Sequence, residues 1–405
     1  MKALRLAWRN VLRNRRRSFV TMLIGALGTT SVLVAGGFAL YTYDSLREGS
    51  AREFGHLTIA HKDYFERDEE TPQQFGLDGY AAIAGELEKD PRVRRVLPRI
   101  NLSGLVSNGD KSMVFMGTGA DIPAEAAVRG PFLKLLDGTL ADGDRDDGPP
   151  RVLVGADLAR SLSAKPGSSL TLLSTTTAGG MNAVDVEVAG IVSTGWREVD
   201  KRLVYTGFRS AQRLLVTDKA STLAVFLHDT AQTPEVLERL AQGDPAHAYR
   251  PWWDLSAYYT SVRDLYDRIF GLLGVIIAAL VFFSVTNTLT MAVVERTREI
   301  DTLRALGALP REVVAGFVRE GALIGAAGTG VGVLAAGFVT VLLLFADVQM
   351  PPPPGRSEGY PLQVYADPAL YLLTVILIVL LCALAAWLAS RKAAEKPIVE
   401  ALGHV

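Results

Sequence analysis

Few residues of this chain are spaced for chemistry, and each such group also has a plainer use. His56 and His61 stand five apart, with Asp63 just beyond. On a strand an odd separation sends two side chains to opposite faces, so a shared metal ion would require the backbone to turn between them. Asp142, Asp144 and Asp146 have the alternate spacing of a calcium loop, yet Asp147 stands where its tight turn needs glycine and Leu153 where its bidentate glutamate belongs. A solvated acidic loop is the expectation there. Ser161–Gly167 mixes lysine with glycine in the wrong order for holding phosphates, and no G-x-x-x-x-G-K followed by Ser or Thr occurs. G-x-S-x-G and H-E-x-x-H are also missing, so hydrolase chemistry has no support. The single cysteine, Cys382, lies in an apolar run and reads as a packing residue. No catalytic, cofactor or metal site is expected on this chain.

The residues that do carry information lie between 295 and 310, and their chemistry is recognition. Ile300, Leu303, Leu306 and Gly307 fall on one side of a short helix that Pro310 ends. Glu295, Arg296, Arg298, Glu299 and Arg304 flank that ridge. Such a helix can press an apolar ridge into a partner's groove, with ion pairs at the rim. A mere connecting turn would need the positive charge but not the ridge.

The elements that hold this helix are membrane spans. About 20 apolar residues cross roughly 30 Å of hydrocarbon. Ser18–Leu40, Ile269–Val294, Gly321–Ala346 and Ala369–Ser390 are free of charged residues. One Lys, Arg or Asp at the bilayer centre would cost about 2.5–3.5 kcal/mol, so four clean runs of this length are informative. The first is too long for a signal-peptide core and no A-x-A site follows it, which predicts an uncleaved span. Seven Lys and Arg residues precede it, while Arg296, Arg298, Arg304 and Arg311 lie between the second and third runs. Arg391, Lys392 and Lys396 follow the fourth. Positive flanks mark the cytoplasmic side, so both termini and the 295–316 loop are expected inside a bacterial inner membrane. Residues 2–16 also have an apolar stripe opposite their arginines, as an interfacial helix would. The net charge of -1 argues against a nucleic-acid partner.

The fold class expected is therefore an α-helical membrane protein with four spans and a large extracytoplasmic α+β domain between the first two. Its organisation reads as a cytoplasmic amphipathic helix at 1–17, span one at 18–40, the two-lobed outer domain at 41–268 and span two at 269–294. A cytoplasmic loop at 295–316, span three at 317–346, an outer loop at 347–368, span four at 369–390 and a cytoplasmic tail at 391–405 complete it. In the outer domain, alternation as in Val184–Val188 predicts half-exposed strands. Asp137–Pro150 is the expected seam between the lobes. A helix is predicted to run from Asp254 without a break into the second span, a lever able to transmit tilt. Gly321, Gly325, Gly328 and Gly332 put small residues on one face of span three for close helix packing or pairing of permease chains. Asn287, costly against lipid, is expected to face another helix. None of the four clean runs carries a charged residue, which weakens an ion-coupled carrier.

Glu295-Arg-Thr-Arg-Glu-Ile300 with Leu303-Arg-Ala-Leu-Gly-Ala308 resembles the coupling-helix signature of the MacB/FtsX-like permeases of ABC transporters. Val152–Ala159 and Val188–Gly195 resemble the outer-domain pattern of the same family, although Asp301 replaces a frequent glycine. The resemblance covers the chain from end to end. It implies that residues 299–307 seat in an ABC ATPase subunit dimer, that ATP and magnesium are held by that partner, and that a second permease chain, identical or related, pairs with this one. It further implies a lipid-anchored or other hydrophobic substrate taken from the outer leaflet, with Phe38, Tyr41, Phe270, Phe282 and Phe283 as candidates for its entrance. Efflux through a periplasmic adaptor, and signalling to a cell-wall hydrolase without transport, are the alternatives. A periplasmic adaptor or chaperone is the further partner implied.

Overall fold

The computed structural model describes residues 15–67, 74–130, 133–145, 147–244, 246–346, 348–351 and 359–394. The amphipathic helix expected at 2–16 therefore falls almost wholly outside the described residues, as does Asp146. The chain divides into two compact units.

One unit holds the apolar helices. Four helices are long and apolar enough to cross a membrane, within Ser18–Phe54, Ala257–Glu295, Pro310–Ala346 and Pro368–Arg391. The first belongs to a 40-residue helix, Arg15–Phe54, that continues unbroken well past the expected end at Leu40. Glycine lets the helices meet backbone to backbone. A Cβ on Gly321 would lie 2.9 Å from the Cys382 carbonyl oxygen, and one on Gly328 2.7 Å from that of Met22. Thr30 Oγ1 adds a hydrogen bond to the Gly332 carbonyl oxygen at 3.1 Å. Val281, Val285 and Leu289 of the second helix pack on Ile378, Cys382 and Ala385 of the fourth.

The other unit, Ser45–Ser261 with Met350–Tyr360, is the inserted α+β domain. Its strands are β1 (Leu57–His61), β2 (Val93–Ser107), β3 (Ser112–Gly119), β4 (Lys134–Gly138), β5 (Arg151–Gly155), β6 (Ser169–Thr175), β7 (Met181–Ser193), β8 (Leu203–Thr206), β9 (Thr222–Leu227) and β10 (His247–Pro251). They form one mixed sheet in the order β10-β1-β9-β2-β3-β8-β5-β7-β4, with β6 paired to β2 and β7. The long β2 serves two neighbourhoods. Residues 93–99 pair with β9, and residues 100–107 pair with β3. Two cores follow: Leu57, Ile59, Val96 and Val225 under the helices Tyr80–Leu87 and Thr233–Gly243, and Phe115, Val152, Leu158 and Val188 around Ala156–Leu162 and Phe208–Leu215.

The expected seam at Asp137–Pro150 is not where the lobes divide. Asp137 and Gly138 pair with β7, and the Arg151 N–H bonds the Gly143 carbonyl, so this stretch lies within the second lobe. The two cores share β2, whose halves pair with β9 and with β3. The helix expected from Asp254 is also interrupted. Trp252–Leu255 is a separate short helix, and Ala257–Glu295 begins after Ser256, whose Oγ accepts from the Tyr259 N–H at 3.2 Å. That is N-cap chemistry, and it starts a new helix rather than continuing the old one.

Candidate functional site

The connecting helix Thr297–Ala305 lies between the second and third apolar helices. The chain leaves it at Gly307 with φ 98°, a left-handed stop that glycine adopts without strain. Two contacts hold it. Arg296 and Glu320 are both buried and meet at 3.0 Å. Ile300, only 4% exposed, packs on Val293 and Phe317.

These contacts revise the expected ridge. Ile300 and Arg296 face inward and anchor the helix to its own chain, where they were expected to meet a partner. Glu299, Ala305 and Gly307 are exposed, Glu295 is also exposed, and Leu306 is the most exposed of the group at 80%. Leu309, unflagged in the sequence, adds a second exposed apolar side chain. Arg304 is partly buried. The side chains of Arg298 and Leu303 lie outside the described residues. Pro310, read as a terminator, opens the third long helix as its first residue, a position where proline needs no N–H partner.

The glycine stripe is used inside the chain. Gly321 and Gly325 pack on Ala386 and Cys382 of the fourth helix, and Gly328 and Gly332 on Met22, Ala26 and Thr29 of the first. It leaves no free stripe for a second chain. Asn287 is exposed, and among the described residues it has no hydrogen bond and no covering helix. Of the aromatic set, Phe38 and Phe270 meet edge to face at 6.2 Å. Tyr41 turns instead to Tyr365. Phe282 packs beside the Val281 cluster and meets Phe283, which is exposed, at 5.6 Å.

In the inserted domain, charges are buried at the lobe division. Arg99 of β2 donates from Nε and Nη2 to the Glu125 carboxylate at 2.5 and 2.8 Å. Its Nη1 donates to the carbonyls of Glu53 and Phe54 at 2.9 and 3.2 Å. These are the last two residues of the helix Arg15–Phe54, whose terminal carbonyls lack helical partners. His56 forms a second relay. The Leu227 N–H donates to its Nδ1 at 3.2 Å, which puts the ring proton on Nε2, 2.9 Å from Thr230 Oγ1. Thr230 in turn donates to Glu48 at 2.6 Å. Burial pushes the His56 pKa down to about 4, against the pull of Glu48. His61 stands apart beside Asp63 and Phe75. The Asp144 carboxylate caps Phe208–Leu215 by accepting from the Arg209 and Ser210 N–H groups at 2.9 and 2.8 Å. Among the described residues no three His, Cys, Asp or Glu side chains cluster as a metal site would require. Sequence reasoning missed Arg99, Glu125 and Arg129, because a lone arginine on a strand carries no spacing signal.

Comparison with known proteins fits this architecture. Residues 18–242 match the MacB-like periplasmic core domain, and residues 271–398 match the FtsX-like permease C-terminal family. The chain is 27% identical over 340 residues to the lipoprotein-releasing system transmembrane protein LolC of Xylella fastidiosa, covering 80% of this chain and 78% of that protein. It is 27% identical over 376 residues to the pyoverdine export ATP-binding/permease protein PvdT of Pseudomonas entomophila, covering 86% of this chain and 53% of that one. A solved structure of the periplasmic region of MacB from Actinobacillus actinomycetemcomitans aligns at 18% identity and TM-score 0.38, over 51% of this chain and 94% of that one. An inserted α+β domain matching one family, followed by three apolar helices matching the other, leads to one assignment: the chain belongs to the MacB/FtsX-like permeases of ABC transporters, membrane proteins with a periplasmic domain between their first and second helices.

Proposed function

We propose that this chain is the permease subunit of an ATP-driven transporter of the bacterial inner membrane, with both termini on the cytoplasmic side. An ABC ATPase dimer, holding ATP and magnesium, engages the connecting helix. Closure of that dimer moves the second spanning helix and shifts the periplasmic lobes, so the work is done by mechanical coupling. The supporting observation is the way Thr297–Ala305 is mounted. A buried ion pair and Ile300 fix its inner side, while Glu299, Leu306 and Leu309 project outward. An exposed apolar pair just beyond the end of an anchored helix suits a partner groove better than it suits water.

The cargo we infer is a lipid-anchored protein or another hydrophobic substrate taken from the outer leaflet, the reading that the LolC relatives favour. A second permease chain completes the transporter. Asn287 supports that step, because an amide left against lipid lacks any hydrogen-bond partner. With the glycine stripe covered within the chain, pairing would use the Asn287 face instead. Drug or peptide efflux with a periplasmic adaptor is the second reading, and the PvdT relatives favour it.

Co-purification with the ATPase, followed by ATPase assays, tests the proposal. Leu306→Asp is expected to abolish ATPase association while leaving membrane insertion intact, whereas normal association would refute the assignment. Stimulation of hydrolysis by a lipoprotein and not by drugs selects the first cargo over the second.

A further inference from the structure

The inserted domain contains a cavity that none of these roles uses. It has a volume of about 920 Å³ and runs between β2, β3 and β8 on one side and the segments near Phe54 and Val199 on the other. A smaller space of about 250 Å³ adjoins it, lined by Leu46, Trp196 and Tyr258. Glu53, Phe54, Arg129, Thr194, Val199 and Leu255 border both. Arg129 therefore stands where the two spaces meet.

The charge balance at that junction is incomplete. Arg129 is 4% exposed and its guanidinium is permanently protonated. Nη1 donates to the Tyr205 hydroxyl, and no other hydrogen bond of this guanidinium is present among the described residues. Glu125, the nearest deeply buried carboxylate, is already engaged twice by Arg99. Glu53 lies within electrostatic reach but forms no ion pair with Arg129 among the described residues. Tyr205 accepts from Arg129, and no bond in which its own hydroxyl donates is present among the described residues. A buried cation beside a phenol with a proton to give is a pair of donors that lacks an acceptor. Burying such a cation without a paired anion is costly. The walls beyond are mixed, with Leu102, Met116 and Leu203 providing apolar surface and Asn101, Thr118 and Ser174 polar atoms.

We infer that this cavity binds a single-chain amphiphilic anion, its carboxylate or phosphate on Arg129 and Tyr205 and its hydrocarbon chain along the larger space. The volume exceeds what a bare inorganic ion would fill, and the apolar walls call for a chain. The site is independent of the coupling helix and of the transporter's cargo.

Photolabelling tests it on the full chain in nonionic detergent. Three probes carry the same diazirine-bearing twelve-carbon chain: a carboxylate, an alkyl phosphate and the methyl ester of the carboxylate. Adducts are mapped by peptide mass spectrometry, with labelling of the spanning helices as the internal standard for micelle partition. The acids are expected to label residues 194–205 about tenfold more than the ester, as a charge-assisted contact requires. Arg129→Met and, separately, Val199→Trp, which fills the junction without changing charge, should each remove that excess. Preference for the carboxylate would identify a fatty-acid source, and preference for the phosphate a lysophospholipid one. Equal labelling by acid and ester, or labelling that survives Val199→Trp, would overturn the inference. That comparison on the unaltered chain and the Val199 variant decides the matter even if Arg129→Met fails to fold.

Discussion

Arg296 is the residue on which the mounting of the connecting helix depends. Its Nη1 reaches the Glu320 carboxylate at 3.0 Å, while its Nε and Nη2 are buried without hydrogen-bond partners. Removing the carboxylate would leave the buried guanidinium with only the Glu299 carboxylate, 3.9 Å from its Nε. Glu320→Gln is expected to destabilise the membrane unit by about 3–5 kcal/mol, the cost of breaking a buried pair from one side. Unfolding of the purified chain in detergent measures this. The double replacement Arg296→Met with Glu320→Met should recover much of the loss, since an apolar pair removes both desolvation penalties. The inward turn of Arg296 could not be read beforehand. Sequence spacing placed it among six charges at 295–310, and only the partner 24 positions away distinguishes an anchoring arginine from a surface one. Leu306, by contrast, was placed on the helix ridge by its spacing; it is exposed, but it follows the helix rather than lying within it.

At the scale of the helices, the glycines divide into two kinds. Gly328 is buried against the Met22 backbone, whereas a Cβ on Gly330 would meet nothing within 4 Å. Gly328→Ala should therefore push two helices apart and cost about 1–3 kcal/mol, as overpacking does. Gly330→Ala should be neutral or stabilising by up to about 1 kcal/mol, since alanine is the better helix former. Thermal unfolding of the two variants in the same detergent makes the comparison. The small-residue period was plain in the sequence, but it could not say whether the covering helix came from this chain or another. Ser256 shows a similar boundary. The apolar stripe from Leu255 to Ile269 fits a single helix, and the break is set by a hydroxyl taking the Tyr259 N–H, a choice that periodicity does not register.

Across the whole molecule, hydropathy and charge told most. Four clean runs and a polar insert gave the four helices and the α+β domain. The strands β4, β8 and β10 escaped notice because they are short, and β8 is fully buried, so neither shows clear alternation. Buried polar groups then set a pH limit for the inserted domain. His56 has a pKa near 4 when folded against an ordinary 6.5, so the unfolded chain binds the extra proton first. Stability is fully present above about 6.5, falls as pH drops through that value, and continues to fall until about 4. The loss from this one group is on the order of 3 kcal/mol. Denaturant midpoints taken between pH 7.5 and 4 should show it, and His56→Gln should flatten that part of the profile. An unchanged profile in the variant would assign the loss elsewhere.

Arg99 has a mechanical corollary. One guanidinium, through four hydrogen bonds, fastens the last two carbonyls of Arg15–Phe54 and the Glu125 helix to the strand shared by both lobes. The last turn of that helix, inside the inserted unit, is thus keyed like a shaft in a hub. Any turning of that last turn about the helix axis must carry β2 along with it or shear the key.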